Sequence, residues 1–272
     1  MRTFVIAEPG CTHEGKLDEM LSLIDMAAAA GADAYKGQWT SDADALCAKR
    51  RAPDYRPSYG WLQYPAEWHA RLALRCRSRG IQYGCTVYLP EDISVIDEHV
   101  SFYKVSAFEA MDHVLADAYL DRLDGNQKRL YVSLGMGASD TFGSKRPLDS
   151  NVLARIWPLR CVSAYPAPLE SLYLRQLWEG HLLGLSDHTT PDQILTGALA
   201  VAAGASVIER HIRLESASPS NPDYAVAMSA HPFTQYVSYI RLAEVAVGDG
   251  DVPEIHPSEE PMLQFAWREG NE

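Results

Sequence analysis

Short apolar runs alternate along the chain with longer stretches whose apolar residues return every three or four positions. The short runs read as strands buried on both faces: Phe4–Ala7, Ala34–Lys36, Ile81–Cys85, Phe102–Val105, Leu130–Ser133, Leu159–Ser163, Leu182–Leu185 and Ser206–Ile208. The longer stretches read as helices: Leu17–Ala30, Ala66–Arg79, Ile93–Glu98, Val114–Leu123, Val152–Trp157, Leu169–Trp178, Pro191–Ala203 and Phe233–Val247. Gly31, Gly80 and Gly204 stand where a helix end calls for a left-handed residue. Strand–helix units joined by right-handed crossovers predict a single-domain (β/α)8 TIM barrel over residues 1–248, followed by a tail over 249–272. A doubly wound open sheet is the rival, and no GxGxxG or P-loop supports it.

In such a barrel the chemistry gathers at the carboxyl ends of the strands. Nearly every predicted strand here ends in a group able to bind or transfer something. Glu8 closes the first, and Lys36 and Gln38, two apart and so on one side, close the second. Thr86, then Lys104 with Ser106 and Glu109, then Ser133 follow. Ser163 and Tyr165, Asp187 and His188, and finally His211 complete the circuit. His188 and His211 close neighbouring strands of one βαβ unit, which brings both imidazoles to one sheet edge, within reach of a shared metal ion, with two partly buried histidines each satisfied by a backbone carbonyl as the alternative. Two of the six lysines, Lys36 and Lys104, occupy strand positions. A lysine inside a barrel is costly unless an anion neutralises it, so these are candidate phosphate or carboxylate binders, with a structural ion pair as the alternative.

Composition narrows the partners. The net charge of −12 argues against nucleic acid or an anionic membrane, and requires that any anionic substrate find a local basic pocket. No apolar run approaches the roughly 20 residues that span a bilayer. The five cysteines are scattered without a CxxC pair and read as free thiols. The chain enters a strand almost at once, leaving no room for a signal peptide, so a cytoplasmic protein is expected.

The ordered motifs resemble the sialic acid synthases, which condense phosphoenolpyruvate with an aldose. They are Ile-Ala-Glu-Pro-Gly-Cys-Thr-His-Glu-Gly (6–15), Ala-Gly-Ala-Asp-Ala-Tyr-Lys-Gly-Gln (30–38), Tyr-Lys-Val-Ser-Ala-Phe-Glu (103–109) and Ser-Leu-Gly-Met (133–136). Cys-Val-Ser-Ala-Tyr-Pro-Ala-Pro (161–168), Gly-Leu-Ser-Asp-His-Thr (184–189), Gly-Ala-Ser-Val-Ile-Glu-Arg-His (204–211) and Asn-Pro-Asp (221–223) continue the series. The resemblance implies that His188 and His211 hold Mn²⁺ or Mg²⁺, acting as a Lewis acid on the aldehyde. It implies that Lys36, Thr86, Lys104 and Ser133 hold phosphoenolpyruvate, and that Gln38 and Tyr165 line the pocket. Ser106, Ser163, Ser186 and Asp187 join them as substrate contacts, and Asp223 binds acceptor hydroxyls. Glu109 first, then Glu8, is expected to manage the protons of the water that captures C2, with either one as the structural partner of a lysine in the alternative. The product would be a 2-keto-3-deoxy sugar acid.

Departures from the pattern bear on the acceptor. Ala107 and Phe108 stand where the family carries Ser-Gly, Thr12 replaces asparagine before His13, Pro9 replaces isoleucine, and Leu134 stands where threonine is common. Family members typically continue into an antifreeze-like domain whose arginine covers the acceptor in a swapped homodimer. That lid is not expected here, Arg268 is expected to lie in a flexible tail, and any homodimer would rest on barrel contacts. The long segment Thr40–Tyr64 is expected to close the site instead. Two other readings stay open: a metal-dependent pyruvate aldolase, and a barrel without catalysis that serves as a scaffold subunit.

Overall fold

A computed structural model describes residues 2–137, 142–143, 149–248, 250 and 255–266. Strands β1 (Phe4–Glu8), β2 (Ala34–Trp39), β3 (Gln82–Val87), β4 (Phe102–Val105), β5 (Arg129–Leu134), β6 (Ile156–Cys161), β7 (Gly184–Asp187) and β8 (Val207–His211) pair in parallel in chain order. β8 returns to β1, with Glu8 opposite His211, and closes the barrel. The expected TIM barrel is the fold observed. Around it lie helices α1 (Leu17–Ala29), α2 (Ala43–Arg50), α3 (Arg56–Leu62), α4 (Trp68–Ser78), α5 (Ile93–Ile96), α6 (His113–Asp124), α7 (Ser150–Leu153), α8 (Thr196–Ala202) and α9 (Ala230–Val247).

The period of two along each strand sorts the side chains into two cores. Outward-facing Val5, Tyr103, Val132, Leu185 and Ile208 pack under helix residues such as Leu23, Leu72, Leu120 and Phe233. Inward-facing Ile6, Ala34, Phe102, Tyr131, Leu159 and Val207 plug the barrel floor. Gly84 makes that plug possible, since a Cβ there would lie 2.2 Å from Cε2 of Phe102. The apolar floor leaves only the upper tiers of the barrel for polar chemistry.

Three expected helices differ. Ile156 and Trp157, read as the end of a helix, are strand, because they pair with Leu130 and Tyr131 of β5. Leu169–Trp178 forms 3-10 turns over Leu169–Ser171 and Leu174–Glu179. The helix expected from Pro191 begins only at Thr196, because Arg210 takes the carbonyls of Thr189 and Thr190, each at 2.9 Å, and holds the preceding chain as loop.

The segment Thr40–Tyr64 is not a bare loop. It carries α2 and α3, joined by a 3-10 turn at Pro53–Tyr55. Asp42 caps α2 through the N–H groups of Asp44 and Ala45, and Lys49 and Arg50 fall in its last turn, where the helix dipole favours cations. Arg51 then turns left-handed at φ 52° and ends the helix. The tail forms an exposed 3-10 turn at Pro257–Phe265, and Arg268 lies outside the described residues.

His69 of α4 is wholly buried behind β2 and β3, with Nδ1 2.8 Å from the Tyr83 hydroxyl and its ring edge-on to Trp39. Burial, with His99 adding to it, lowers its pKa to about 3. Between about pH 6.5 and 3 the unfolded chain therefore binds a proton that the native state refuses. Stability from this group is complete above pH 6.5 and declines as pH falls. His69→Gln should flatten the fall in Tm between neutral and mildly acidic pH, measured by thermal melts of both proteins. An equal slope in the two would show that His69 contributes nothing to it.

Candidate active site

Above the floor, the inward positions become polar in two tiers. Lys36, Lys104, Ser133, Ser186 and Glu209 form the lower tier, with Glu8 beside them. All are 3% exposed or less. Lys36 Nζ lies 2.7 Å from Glu8 Oε1 and 3.0 Å from Glu209 Oε1. Lys104 Nζ lies 3.4 Å from Glu209 Oε2 and donates to the Ser133 hydroxyl at 2.7 Å. Ser186 donates to Glu209 Oε2 at 2.7 Å. The two lysines thus face two carboxylates, and the cluster is balanced as it stands.

Burial pushes the Glu8 carboxyl up, and Glu209 reinforces this against the pull of Lys36. Burial also opposes charge on Glu209, but Lys104 and Lys36 hold its carboxyl well below the usual range. Burial lowers Lys104, against Glu209. It also works against Lys36, yet Glu209 and Glu8 outweigh it and leave that ammonium raised. Glu8 is therefore the member most easily neutralised by a proton, which would leave the cluster with net positive charge.

The upper tier holds the two histidines. Their ring centroids are 5.2 Å apart, and Tyr165 stacks on His188 at 4.4 Å. His188 Nδ1–H donates to the Val162 carbonyl at 2.9 Å, while Nε2 faces the Tyr165 hydroxyl at 3.3 Å. Burial opposes charge on His188, but Cys161, 3.8 Å from Nδ1, and the Val162 carbonyl raise its pKa to about 9. Burial lowers His211 to about 3 and keeps it neutral. Its Nε2 lies 3.7 Å from Glu8 Oε2 and its Nδ1 3.9 Å from Asp223 Oδ1, and Nδ1 has no hydrogen-bond partner among the described residues. Asp223 is held by the Cys11 N–H at 2.8 Å. Gly10, at φ 55°, permits this approach, since a Cβ there would sit 2.2 Å from Asp223 Oδ2.

Fit to a divalent cation rests on these donors. His211 offers an unpartnered buried nitrogen. In His188, Nδ1–H is held by a carbonyl, and Nε2, which faces the Tyr165 hydroxyl, would have to give up the proton that its raised pKa keeps at neutral pH before it could ligate. The described residues contain no set of three or more His, Cys, Asp or Glu side chains placed to hold a metal. His188 and His211 are the two imidazoles on offer to a cation here.

A pocket of ≈ 650 Å³ opens over this end of the barrel, lined by Gln38, Arg50, Tyr88, Phe108, Glu109, Tyr165 and Asp223 among others. Gln38 donates to Glu8 and accepts from the Tyr88 hydroxyl, linking the pocket wall to the lower tier. α2 and α3 contribute Lys49, Arg50, Ser58, Tyr59 and Leu62 to the lining, so the segment expected to close the mouth does form part of it. A smaller hollow of ≈ 130 Å³, lined by Arg2, Ser206 and Glu244 among others, lies at the opposite end, where β1 and β8 begin. None of the groups described above lines it.

Most sequence-predicted site residues meet here, but Asp187 does not. Ser186, Asp187 and His188 are consecutive, and a strand cannot turn three consecutive side chains to one face. Asp187 points outward, wholly buried, 2.8 Å from Arg210 Nη1, and accepts from Thr189, Thr196 and Tyr236. Arg210 opposes burial and holds that carboxyl below the usual range, consistent with a structural anchor. Thr86 is buried with an unpartnered hydroxyl among the described residues, ready for a ligand. Ser163 stands beside Cys161, 3.9 Å from its sulfur. Ser106 lines the pocket, its hydroxyl donating to Glu109 and accepting from the Phe108 N–H.

Sequence reasoning missed Glu209 and Arg50. Glu209 was available from parity, two residues before His211 and so on the same face of β8. Arg50 carries no such signal, because α2 is brought over the mouth only by the fold.

A closed parallel barrel with a buried lysine–carboxylate cluster under paired histidines has the architecture of a barrel enzyme with its site at the strand carboxyl ends. Residues 23–252 match the NeuB family, and the chain belongs to that family. It is 31% identical to an N,N'-diacetyllegionaminic acid synthase of Legionella pneumophila, over 92% of this chain and 75% of that protein. It is 29% identical to a pseudaminic acid synthase of Campylobacter jejuni, over 92% of this chain and 76% of that protein. The fold matches the crystal structure of an N-acetylneuraminic acid synthetase from Leptospira borgpetersenii with TM-score 0.77 at 21% identity, covering 97% of this chain and 91% of that one.

Glu209 is the group whose loss should be felt most in this cluster. Glu209→Gln leaves Lys36 and Lys104 facing one carboxylate in a buried site, a defect that costs about 3–5 kcal/mol. Urea unfolding should register that loss. A change under about 1 kcal/mol would show that water or relaxation already screens the cluster.

Proposed function

We propose that this protein condenses phosphoenolpyruvate with an unphosphorylated aldose, giving a 2-keto-3-deoxy sugar acid and inorganic phosphate. The observation that carries this reading is the stacking of two inward tiers: a buried Lys36–Lys104–Glu209–Glu8 cluster beneath His188 and His211, joined through Gln38, Tyr165 and Asp223 to the pocket that these three line. The synthase names of the relatives agree with it.

His188 and His211 would hold a divalent cation, which when bound supplies Lewis acidity at the acceptor aldehyde. Lys36 and Lys104, with the hydroxyls of Thr86 and Ser133, bind the phosphate and carboxylate of phosphoenolpyruvate. Protonation of Glu8, favoured by its burial, lets the cluster accept that anion without two carboxylates opposing it. C3 of phosphoenolpyruvate then attacks the aldehyde carbon, water adds at C2, and phosphate leaves with cleavage of its C–O bond. Asp223 orients acceptor hydroxyls, and the aromatic wall excludes bulk water.

Glu8 is placed ahead of Glu109 in this reading, the reverse of the expected order. Glu109 receives Arg50 Nε at 2.8 Å on Oε1 and Arg50 Nη2 at 2.8 Å on Oε2, with Nη2 also 2.7 Å from Oε1. Ser106 donates to Oε2 as well. A carboxylate has about four acceptor directions, so Glu109 has little capacity left for a water proton. Glu8 keeps Oε2 open toward His211, 3.7 Å away: protonated, it gives its proton to the alkoxide that forms from the aldehyde, and as a carboxylate it then takes one from the water that adds at C2. The acceptor preference follows from the pocket's cations. Lys49 lies 2.6 Å from Asp112 and Arg50 is forked onto Glu109, so the charge of each is already matched by a carboxylate at the pocket wall.

Phosphate release from phosphoenolpyruvate, measured with Mn²⁺ or Mg²⁺ across a panel of neutral and phosphorylated aldoses, tests the reading. Release should require an aldose, prefer neutral ones, stop on chelation and vanish in His188→Ala. Glu8→Gln should lower kcat by about 10²–10⁴ and Glu109→Gln by far less. Absence of release with every aldose would sink the proposal. Turnover with pyruvate as donor would replace it with the aldolase reading.

A further inference from the structure

We propose that Arg50 determines which aldose the pocket accepts, by immobilising Glu109 and the Tyr59–Tyr88–Phe108 wall as a recognition surface for a neutral, oxygen-bearing substituent of the acceptor. The inference rests on the condensing reading above and goes further, to the group that selects the sugar.

Three observations support it. First, Arg50 stands at the carboxyl end of α2, a helix that reaches the barrel mouth, and its side chain is 17% exposed in the pocket wall, while that of the Glu109 it clamps is 2% exposed. Burial works against its charge, yet Glu109 and the neighbouring tyrosine hydroxyls raise its pKa, so the guanidinium stays ionised. Secondly, the guanidinium carbon lies 4.7 Å from the ring centre of Tyr88, 4.8 Å from Phe108 and 5.5 Å from Tyr59. The cation is thus caged by three rings that line the same pocket, and contacts of this kind strengthen as water is excluded.

Thirdly, the fork is used unevenly. Nε and Nη2 are committed to Glu109, while Nη1 makes a longer bond of 3.3 Å to the Tyr59 hydroxyl. A guanidinium carries five N–H donors, so Nη1 retains one beyond Tyr59. Beside it, Phe108 is 52% exposed, presenting an apolar face where the wall meets the cavity. A donor N–H next to an exposed ring suits a substituent with an acceptor oxygen and an apolar end. The charge of Arg50 is already neutralised by Glu109, so an anionic substituent gains little there. Arg50 is a specificity residue on this account, and Glu109 holds it in place rather than moving protons.

Steady-state kinetics on the full chain, with the best aldose from the panel, separates this role from its alternatives. Arg50→Gln should raise the acceptor KM by about tenfold or more, while kcat and the phosphoenolpyruvate KM change by less than about threefold. Arg50→Lys keeps the charge but not the planar fork and should leave most of the defect in place. Because the pair acts as a unit, Arg50→Gln should add little in a Glu109→Gln background. If Arg50→Gln lowers the melting point too far to assay, Phe108→Leu, at an exposed position, should raise the acceptor KM in the same way. An unchanged acceptor KM in both variants overturns the proposal, as does a loss confined to kcat, which would return Glu109 to proton transfer. A wild type without release on any aldose removes the condensing reading and this role together. An active wild type with unaltered Arg50→Gln and Phe108→Leu removes this role alone.

Discussion

The balance of charge inside the barrel constrains everything above the apolar floor. Lys36 and Lys104 are buried as deeply as the leucines around the strands, and an uncompensated ammonium there would cost several kcal/mol. Glu8 and Glu209 compensate them from β1 and β8, the two strands that meet to close the sheet. Closure of the barrel is therefore what neutralises the cluster. A cluster so placed is costly for stability alone, since apolar side chains would fill the same space more cheaply.

Around that cluster the site divides its work by height. The lower tier handles charge, the histidine tier sits where two imidazoles face each other over it, and the pocket above is bounded by groups from loops and from α2 and α3. The upper parts are connected to the lower through Tyr88, Gln38 and Glu8, a chain of hydrogen bonds running from wall to cluster. This geometry ties the pocket wall to the buried cluster. It also explains why departures near the mouth, such as Ala107 and Phe108, leave the lysines and histidines undisturbed: they lie on different tiers.

Much of this was legible in the order of residues. Alternation of short apolar runs with helical periodicity identified the barrel, and all the strands appeared within a few residues of their places. Errors came where local pattern and long-range pairing disagree. Ile156 and Trp157 have helical neighbours before them, yet β5 recruits them as strand. The chain before Thr196 carries helix-like residues, yet Arg210 pins it as loop by bonding its carbonyls. In both cases a distant element outweighed a weak local preference.

The site shows the same division. The sequence by itself determined which residues stand at strand ends, and the period of two determined which of them share a face. That rule places Glu8, Lys36, Lys104, Glu209 and His211 in the barrel interior and turns Asp187 away from it. Only the tertiary structure decided that Lys36 and Lys104 are already paired, that Asp187 serves as the anchor of Arg210, and that Arg50 reaches across to clamp Glu109. The reason is physical. Side-chain direction along a strand is a local property of the backbone, whereas ion pairs depend on where the fold brings residues 59 positions apart.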